Sequence, residues 1–263
     1  MTRAVNRRGF KNILRRKVRA KRERKLPMSK KMITVQDVAD VLDHSLLRPD
    51  ITVEALKEGC ELAKKYQTIS VCVRPSDLPI VCQELKGTKV LPTTVIGFPH
   101  GTCTTETKVF ETKDAIAKGA VECDVVMNIG RFLSGEYDYV QDELTRVAKA
   151  AHEGGALLKV IFENFYLTDE QIVKACAIAK AAGCDFIKTS TGYAGGGATM
   201  HDLQIMVDHA DGMKVKAAGG VRTLDDCLAM MAIGVVRCGT RASEAILKEA
   251  EARAARGELY LEQ

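Results

Sequence analysis

Two patterns of apolar and polar residues alternate along this chain. From about residue 34 onward, short apolar runs that end in glycine, proline or polar residues are separated by longer segments with apolar residues at three- and four-residue spacing. The short runs are typical of buried strands, and the longer segments are typical of amphipathic helices. The eight apolar runs are 44–47, 68–73, 90–97, 123–129, 156–163, 185–191, 213–219 and 236–239. The helical segments between and after them are 53–65, 76–86, 104–119, 139–153, 168–182, 201–210, 224–233 and 241–255.

This strict strand–helix order predicts a parallel sheet joined by right-handed crossovers and covered by helices. Eight repeats favour a closed barrel over an open doubly wound sheet. Residues 33–43 also have the pattern of a helix, which we expect to close the bottom of the barrel. The predicted fold class is therefore α/β, a (β/α)₈ TIM barrel with an extra N-terminal helix, formed by a single domain over residues 32–263.

The charge of the chain divides into two unlike parts. Residues 1–31 hold 14 of the 39 Lys and Arg residues and a single acid, so they carry +13, while residues 32–263 carry −8. We predict that residues 1–31 form a disordered basic tail, because like charges repel one another. A polyanion-binding arm, an organelle transit segment and an upstream stretch from a misassigned start codon are all open. Met28 and Met32, just before the folded pattern, favour a dispensable tail.

The cysteines and the lack of long apolar stretches indicate the compartment. Nine cysteines are present, with no C-x-x-C pair, and most of them lie inside apolar runs. This usage predicts reduced, buried thiols in a cytoplasmic protein. We expect no membrane partner, because no stretch approaches the roughly 18 apolar residues that a spanning helix needs, and residues 1–31 contain no apolar segment of a secretory signal.

Four charged residues lie inside predicted strands that should be buried on both faces. Asp124, Lys159, Lys188 and Lys216 fall on the fourth to seventh apolar runs, and loop-forming residues follow at the C-terminal end of each run. A structural ion pair explains a single charge of this kind equally well. Four on neighbouring strands are better explained by an active site, because barrel active sites lie at the C-terminal ends of the strands.

A buried lysine suits covalent catalysis on carbonyl compounds. The free amine is the nucleophile, so its pKa must fall from about 10.4, and both burial and a second ammonium lower it. Lys159 has apolar neighbours on both sides, and Lys188 or Lys216 could supply the second charge. Asp124 could then transfer protons at the imine carbon.

Glycine-rich segments indicate a phosphate site at the same end of the barrel. They are GYAGGG (192–197), AGGVRT (218–223) and CGTRA (238–242). Glycines let backbone amides approach an anion, and helix N-termini attract it. We predict no metal site, because the five histidines have no ligand spacing.

Seven motifs resemble the deoxyribose-phosphate aldolase family, which contains class I aldolases. They are LDHSLLRPD (42–50), SVCVRPSDL (70–78), VIGFPHG (95–101), ECDVVMNIG (122–130), LLKVIFE (157–163), FIKTSTG (186–192) and KAAGGVRT (216–223). The resemblance covers roughly residues 32–245. It implies a (β/α)₈ barrel that interconverts 2-deoxy-D-ribose 5-phosphate with D-glyceraldehyde 3-phosphate and acetaldehyde, with neither a metal nor another cofactor.

The resemblance also implies roles for individual residues. Lys159 matches the lysine that forms the Schiff base, and Asp124 and Lys216 match its proton-relay partners. The predicted substrate-binding residues are Ser45 and Cys72 in the pocket, with Lys188, Gly219, Gly220, Gly239 and Arg241 at the phosphate end. Arg241 and Ala242 stand where many members have two serines. Tyr260 is a doubtful equivalent of a C-terminal tyrosine that some members use.

The expected partners are a small sugar phosphate and further copies of the chain, in a dimer or tetramer. Nucleic acid is not required, since the −8 body would repel a phosphate backbone. Three other functions stay open at this point: a different Schiff-base sugar-phosphate aldolase, a nucleic-acid-binding protein built on the basic tail, and a metal-dependent epimerase.

Overall fold

The computed structural model describes residues 30–262. The strands are β1 Lys30–Met32, β2 Leu42–Leu46, β3 Ser70–Val73, β4 Leu91–Ile96, β5 Glu122–Val126, β6 Leu157–Ile161, β7 Phe186–Lys188, β8 Lys214–Ala218, β9 Arg237–Thr240 and β10 Tyr260–Glu262. The α-helices are α1 Val35–Ala39, α2 Val53–Tyr66, α3 Leu78–Glu84, α4 Thr105–Ala117, α5 Ile129–Leu133, α6 Tyr137–Glu153, α7 Asp169–Ala181, α8 Met200–Asp208, α9 Leu224–Ala232 and α10 Ser243–Ala255. Short 3₁₀ turns occupy Pro75–Asp77 and Asn164–Tyr166.

Strands β2 to β9 form a closed barrel in chain order, and every neighbouring pair is parallel. This arrangement confirms the predicted (β/α)₈ fold. Helix α1 is the extra N-terminal helix, but it covers less than the predicted 33–43. Leu42 and Asp43 already belong to β2, where Leu42 is buried against the helices and Asp43 is buried in the barrel.

Threonine side chains begin most of the helices. A threonine oxygen at the N-cap accepts a hydrogen bond from a backbone amide in the first turn, which would otherwise lack a partner. These residues are Thr34, Thr52, Thr104, Thr168, Thr199 and Thr223. Acidic residues also lie in the first turns of these helices and complement the helix dipole. Apart from Thr34, which caps the helix before the barrel, these threonines mark where the loop after a barrel strand ends and the next helix begins.

The two ends of the described chain pair in a small sheet that the sequence pattern did not predict. Strand β1 is antiparallel to β10, with Lys30 opposite Glu262 and Met32 opposite Tyr260. Lys30 and Lys31, assigned above to the basic tail, are therefore strand residues. The rest of that tail, residues 1–29, lies outside the described residues, and so does Gln263; their predicted disorder stays a prediction.

Tyr260 lies at the bottom of the barrel, where the strands begin. Ile33, next to β1, donates its amide to the carbonyl of Leu259, and helix α1 follows two residues later. Helix α1 in turn leads into the start of β2. Tyr260 is thus at the end of the barrel opposite to the C-terminal ends of its strands. Within residues 30–262, no helix has the length and apolar character needed to cross a bilayer.

A buried ion pair outside the barrel supports the end of β5. Lys108 on α4 donates to Glu143 on α6 and to the carbonyl of Val126, both at 2.8 Å. Glu143 also accepts from the amide of Asn128 at 3.0 Å. Both charged side chains are fully buried. The pair therefore joins two helices to the strand that carries Asp124.

We expect Lys108→Met to lower the free energy of unfolding by about 3–5 kcal/mol, because it leaves the Glu143 carboxylate buried without a cation. Adding Glu143→Leu should recover at least half of this loss. The matched control is Lys118→Met, which breaks an exposed pair with Asp114 at the end of the same helix and should cost less than about 1 kcal/mol. Urea unfolding measures all three; equal losses for the two single variants would contradict the buried pair's role.

Candidate active site

Charged side chains occupy much of the inside of the barrel. Alternate residues of a strand point to the same face, so residues two apart on one strand enter the interior together. Seven charged residues do so, and none is more than 8% exposed. They are Asp43, Glu122, Asp124, Lys159, Lys188, Lys216 and Arg237. We call this set the interior charge cluster.

Asp124 lies at the centre of the cluster and accepts from three lysines. Its Oδ1 accepts from the Nζ of Lys159 at 2.9 Å. Its Oδ2 accepts from the Nζ atoms of Lys188 and Lys216, both at 2.7 Å. The structure thus brings together the four residues that stood out as charges inside apolar runs.

A second layer of the cluster lies below Asp124 and holds the lysines from underneath. Arg237 donates to Asp43 at 2.5 Å and to Glu122 at 2.6 Å. Glu122 also contacts the Nζ of Lys159 at 2.5 Å, and Asp43 pairs with Lys216. Sequence reasoning missed these three residues. Asp43 and Glu122 each lie one residue before a predicted apolar run. They also stand two residues before Ser45 and Asp124, so the alternation of side chains along a strand would have placed both in the interior.

Phe186 closes the cluster from below. Its ring centre lies 5.5 Å from the Nζ of Lys159 and 5.5 Å from the guanidinium carbon of Arg237. The Nζ of Lys214 lies 5.4 Å from the centre of the same ring, and both residues line a cavity of about 250 Å³ at the bottom of the barrel. The ring therefore separates the buried charges from the solvent at this end, and its face attracts the cations around it.

The pKa values of Asp124, Lys188 and Lys216 are shifted by burial and by their charged neighbours, and the direction differs between the two lysines. Burial acts to raise the pKa of Asp124, but Lys159, Lys188 and Lys216 hold it well below its usual range. Burial lowers the pKa of Lys188, and the ammonium of Lys216 adds to this against the opposing effect of Asp124. Burial also acts on Lys216, but its two carboxylate neighbours, Asp124 and Asp43, raise its pKa.

The pKa shifts favour Lys188 as the nucleophile over Lys159, the residue predicted from the sequence. Burial acts to lower the pKa of Lys159, but Asp124 and Glu122 outweigh this effect and raise it. Lys159 lies in the middle of β6, two residues before the strand ends, whereas Lys188 is the last residue of β7. Lys188 pairs in register with Lys216. Lys188 is the lysine whose pKa falls, and it is nearer to the mouth.

The glycine-rich loops meet at the mouth of the barrel, as the sequence predicted. Gly219 and Gly220 follow β8 with φ of 78° and 84°, which favours glycine. A Cβ on Gly197 would lie 2.3 Å from the carbonyl oxygen of Gly219, so the loops after β7 and β8 are in direct contact. Arg241 has an exposed side chain just before α10, whose N-terminus has no side-chain cap.

The remaining predicted residues lie inside the barrel. Ser45 and Cys72 are register partners on the inner faces of β2 and β3. Burial raises the pKa of the Cys72 thiol to about 11. A Cβ on Gly239 would lie 3.4 Å from the Cε of Lys216, so Gly239 makes room for that lysine instead of forming a loop. Lys188, expected at the phosphate end, is instead part of the interior charge cluster.

Sequence comparison identifies the family. A profile described as DeoC/LacD family aldolase matches residues 37–241. The chain belongs to this family. It is 45% identical over 224 residues to a deoxyribose-phosphate aldolase from Caldanaerobacter subterraneus subsp. tengcongensis, covering 84% of this chain and 97% of that protein. It is 47% identical over 214 residues to the deoxyribose-phosphate aldolase from Staphylococcus epidermidis, covering 81% and 96%.

Structure comparison agrees with the family. The deoxyribose phosphate aldolase from Aeropyrum pernix, which has a tetrameric structure, superposes with a TM-score of 0.78 at 28% identity. The match covers 83% of this chain and 93% of that one. As a DeoC/LacD family aldolase, the protein is a lyase. The interior charge cluster gives it a buried amine and a carboxylate in contact, which suits covalent catalysis with proton transfer.

We expect Lys216→Met to raise the pKa of Lys188, because it removes a nearby positive charge that disfavours the ammonium form. The fraction of free amine at neutral pH then falls, and reactivity with small aldehydes moves to higher pH. Reductive methylation with formaldehyde at a series of pH values, followed by peptide mapping of Lys188, measures the shift. Lys214→Met, on the same strand but at the bottom of the barrel, is the control; a midpoint that stays in place or falls in Lys216→Met contradicts the assignment.

Proposed function

We propose that this aldolase reversibly cleaves 2-deoxy-D-ribose 5-phosphate to D-glyceraldehyde 3-phosphate and acetaldehyde through an imine on Lys188. The single observation that carries the mechanism is that Lys188, the last residue of β7, shares the Oδ2 of Asp124 with Lys216; the lowered pKa of Lys188 supports it. The names of the relatives support the substrate. The proposal needs no metal or other cofactor.

The reaction begins when the neutral amine of Lys188 attacks C1 of the open-chain sugar phosphate. The carbinolamine loses water and becomes a protonated imine, which attracts electrons from the neighbouring bonds. The bond between C2 and C3 breaks, the C3 hydroxyl loses its proton and D-glyceraldehyde 3-phosphate leaves. The enamine that remains takes a proton at C2, and hydrolysis of the resulting imine releases acetaldehyde and the free lysine.

Asp124 and Lys216 move the protons in this scheme. Asp124 Oδ2 contacts both Lys188 and Lys216, so it can receive the proton of the C3 hydroxyl and return it to C2, directly or through a water. Lys159 instead contacts Asp124 Oδ1. Its role in this proposal is to hold the carboxylate in place from below, together with Glu122, and no bond forms to it.

The phosphate of the substrate binds at the mouth in our proposal. The loop at Gly219 and Gly220 offers backbone amides, the uncapped N-terminus of α10 adds its dipole, and Arg241 adds a positive charge. Anchoring the phosphate lets binding energy far from C1 position the reacting carbon. We further propose that the chain is a cytoplasmic homo-oligomer; the tetrameric relative supports the assembly.

Borohydride trapping with acetaldehyde should leave an ethyl group on Lys188 of the wild-type protein, found by peptide mapping. Lys188→Met should abolish trapping and lower sugar-phosphate cleavage by about 10⁴-fold, as expected for loss of a nucleophile. Lys159→Met is the matched control and should still be trapped at Lys188, with reduced activity because Asp124 loses a hydrogen bond. An ethyl group on Lys159 in the wild-type protein would refute our assignment.

Arg241→Ala should raise the KM for 2-deoxyribose 5-phosphate by about fivefold, since an exposed charge contributes up to about 1 kcal/mol. The KM for 2-deoxyribose, which has no phosphate, should stay the same. Steady-state kinetics on both substrates test this. Arg256→Ala, just after α10, serves as the control; an equal change in both KM values for Arg241→Ala would argue against a phosphate contact.

A further inference from the structure

Tyr193, in the glycine-rich loop after β7, contacts two other loops of the mouth. Its hydroxyl donates to the carbonyl of Leu47, just after β2, at 2.7 Å. Its ring meets the ring of Phe98, which follows β4, edge to face with 5.4 Å between the centres and an angle of 88°. In the sequence, Tyr193 belongs to the glycine-rich segment GYAGGG (192–197).

The order of strands in the barrel shows where this side chain runs. Strand β7 is three strands away from β2 in one direction and three strands away from β4 in the other. A side chain that starts above β7 and touches the loops after both of those strands must cross the mouth itself. The path from β7 to the ring of Tyr193 therefore crosses the mouth, and below the mouth Lys188 is only 3% exposed.

The backbone on both sides of Tyr193 is fixed. Its amide donates to the Oγ1 of Thr191 at 3.0 Å. Thr191 donates its amide, at 3.2 Å, and its hydroxyl to Glu163, a buried residue in the left-handed conformation. On the other side Gly197 packs against Gly219.

The side chain of Tyr193 is held much more weakly than its backbone. It is 47% exposed, and its contacts across the mouth are one neutral hydrogen bond and one ring edge. Rotation of the side chain would break only these contacts and leave the glycine-rich loops in place. The mouth thus combines rigid glycine-rich loops with one weakly held side chain, that of Tyr193.

We propose that Tyr193 is the gate of the active site. It rotates away from Leu47 and Phe98 to admit the sugar phosphate, and it returns over the imine on Lys188 to keep water and other small reagents away. This inference rests on the proposed imine mechanism. Gates of this kind act on access to the chemistry and leave the reacting groups unchanged.

The experiment measures how fast borohydride reduces the imine that acetaldehyde forms. Tyr193→Ala removes both contacts across the mouth and should speed reduction by about tenfold. Tyr193→Phe removes only the hydrogen bond and should speed it by about threefold. Tyr166→Ala is the matched control, because Tyr166 is also an exposed tyrosine that follows a neighbouring barrel strand. Its rate should equal that of the wild-type protein.

Each outcome separates the gate from the proposed function. Absence of any trapped imine in the wild-type protein overturns the imine mechanism. A trapped imine whose reduction is no faster in Tyr193→Ala and Tyr193→Phe overturns the gate alone. If Tyr193→Ala does not fold, Tyr193→Phe decides, since it keeps the ring and its contact with Phe98. A change in KM or thermal stability without faster reduction assigns Tyr193 a merely structural role and also overturns the gate.

Discussion

One carboxylate shared by three lysines organises this barrel. Asp124 accepts from Lys159, Lys188 and Lys216 in an interior where an unpaired charge would be very costly. Removing any one of these residues would leave a buried charge without its partner. The strands that carry them are therefore held in a single register. With every group ionised, the four cations of the interior charge cluster exceed its three carboxylates by one. Loss of one proton from Lys188 leaves three cations and three carboxylates, so the free-amine form of Lys188 balances the charge of the cluster.

Two lysines at different depths of the barrel have pKa values shifted in opposite directions. Lys159 contacts two carboxylates and stays an ammonium, whereas Lys188 contacts one and has Lys216 beside it. Pairs of titratable groups with pKa values driven apart by their surroundings commonly divide acid, base and nucleophile roles. Here the count of carboxylate neighbours sets the division, and Arg237 controls that count by holding Glu122 and Asp43 in the lower layer.

Much of this could be predicted from the sequence, and the failures have physical causes. Periodicity was sufficient for the barrel, and charges inside apolar runs identified Asp124 and its lysines. The choice between Lys159 and Lys188 could not be made from the sequence, because the apolar sequence neighbours of Lys159 point out of the barrel, while the contacts that set a pKa come from other strands. The pairing of β1 with β10 joins three-residue segments at the two ends of the described chain, and no local pattern encodes it.

The proposed reaction also requires that water be kept from the cluster at both ends. Phe186 closes the bottom, with Lys159 and Lys214 near its ring, and Tyr193 crosses the mouth. Where water is excluded, charge interactions are stronger, so one ammonium can lower the pKa of its neighbour. The substrate, however, must reach Lys188, so the site cannot stay closed. Phe186, which is fixed, and Tyr193, which is weakly held, satisfy both requirements. Only the mouth has to open, so Phe186 can be as rigid as the strand that bears it.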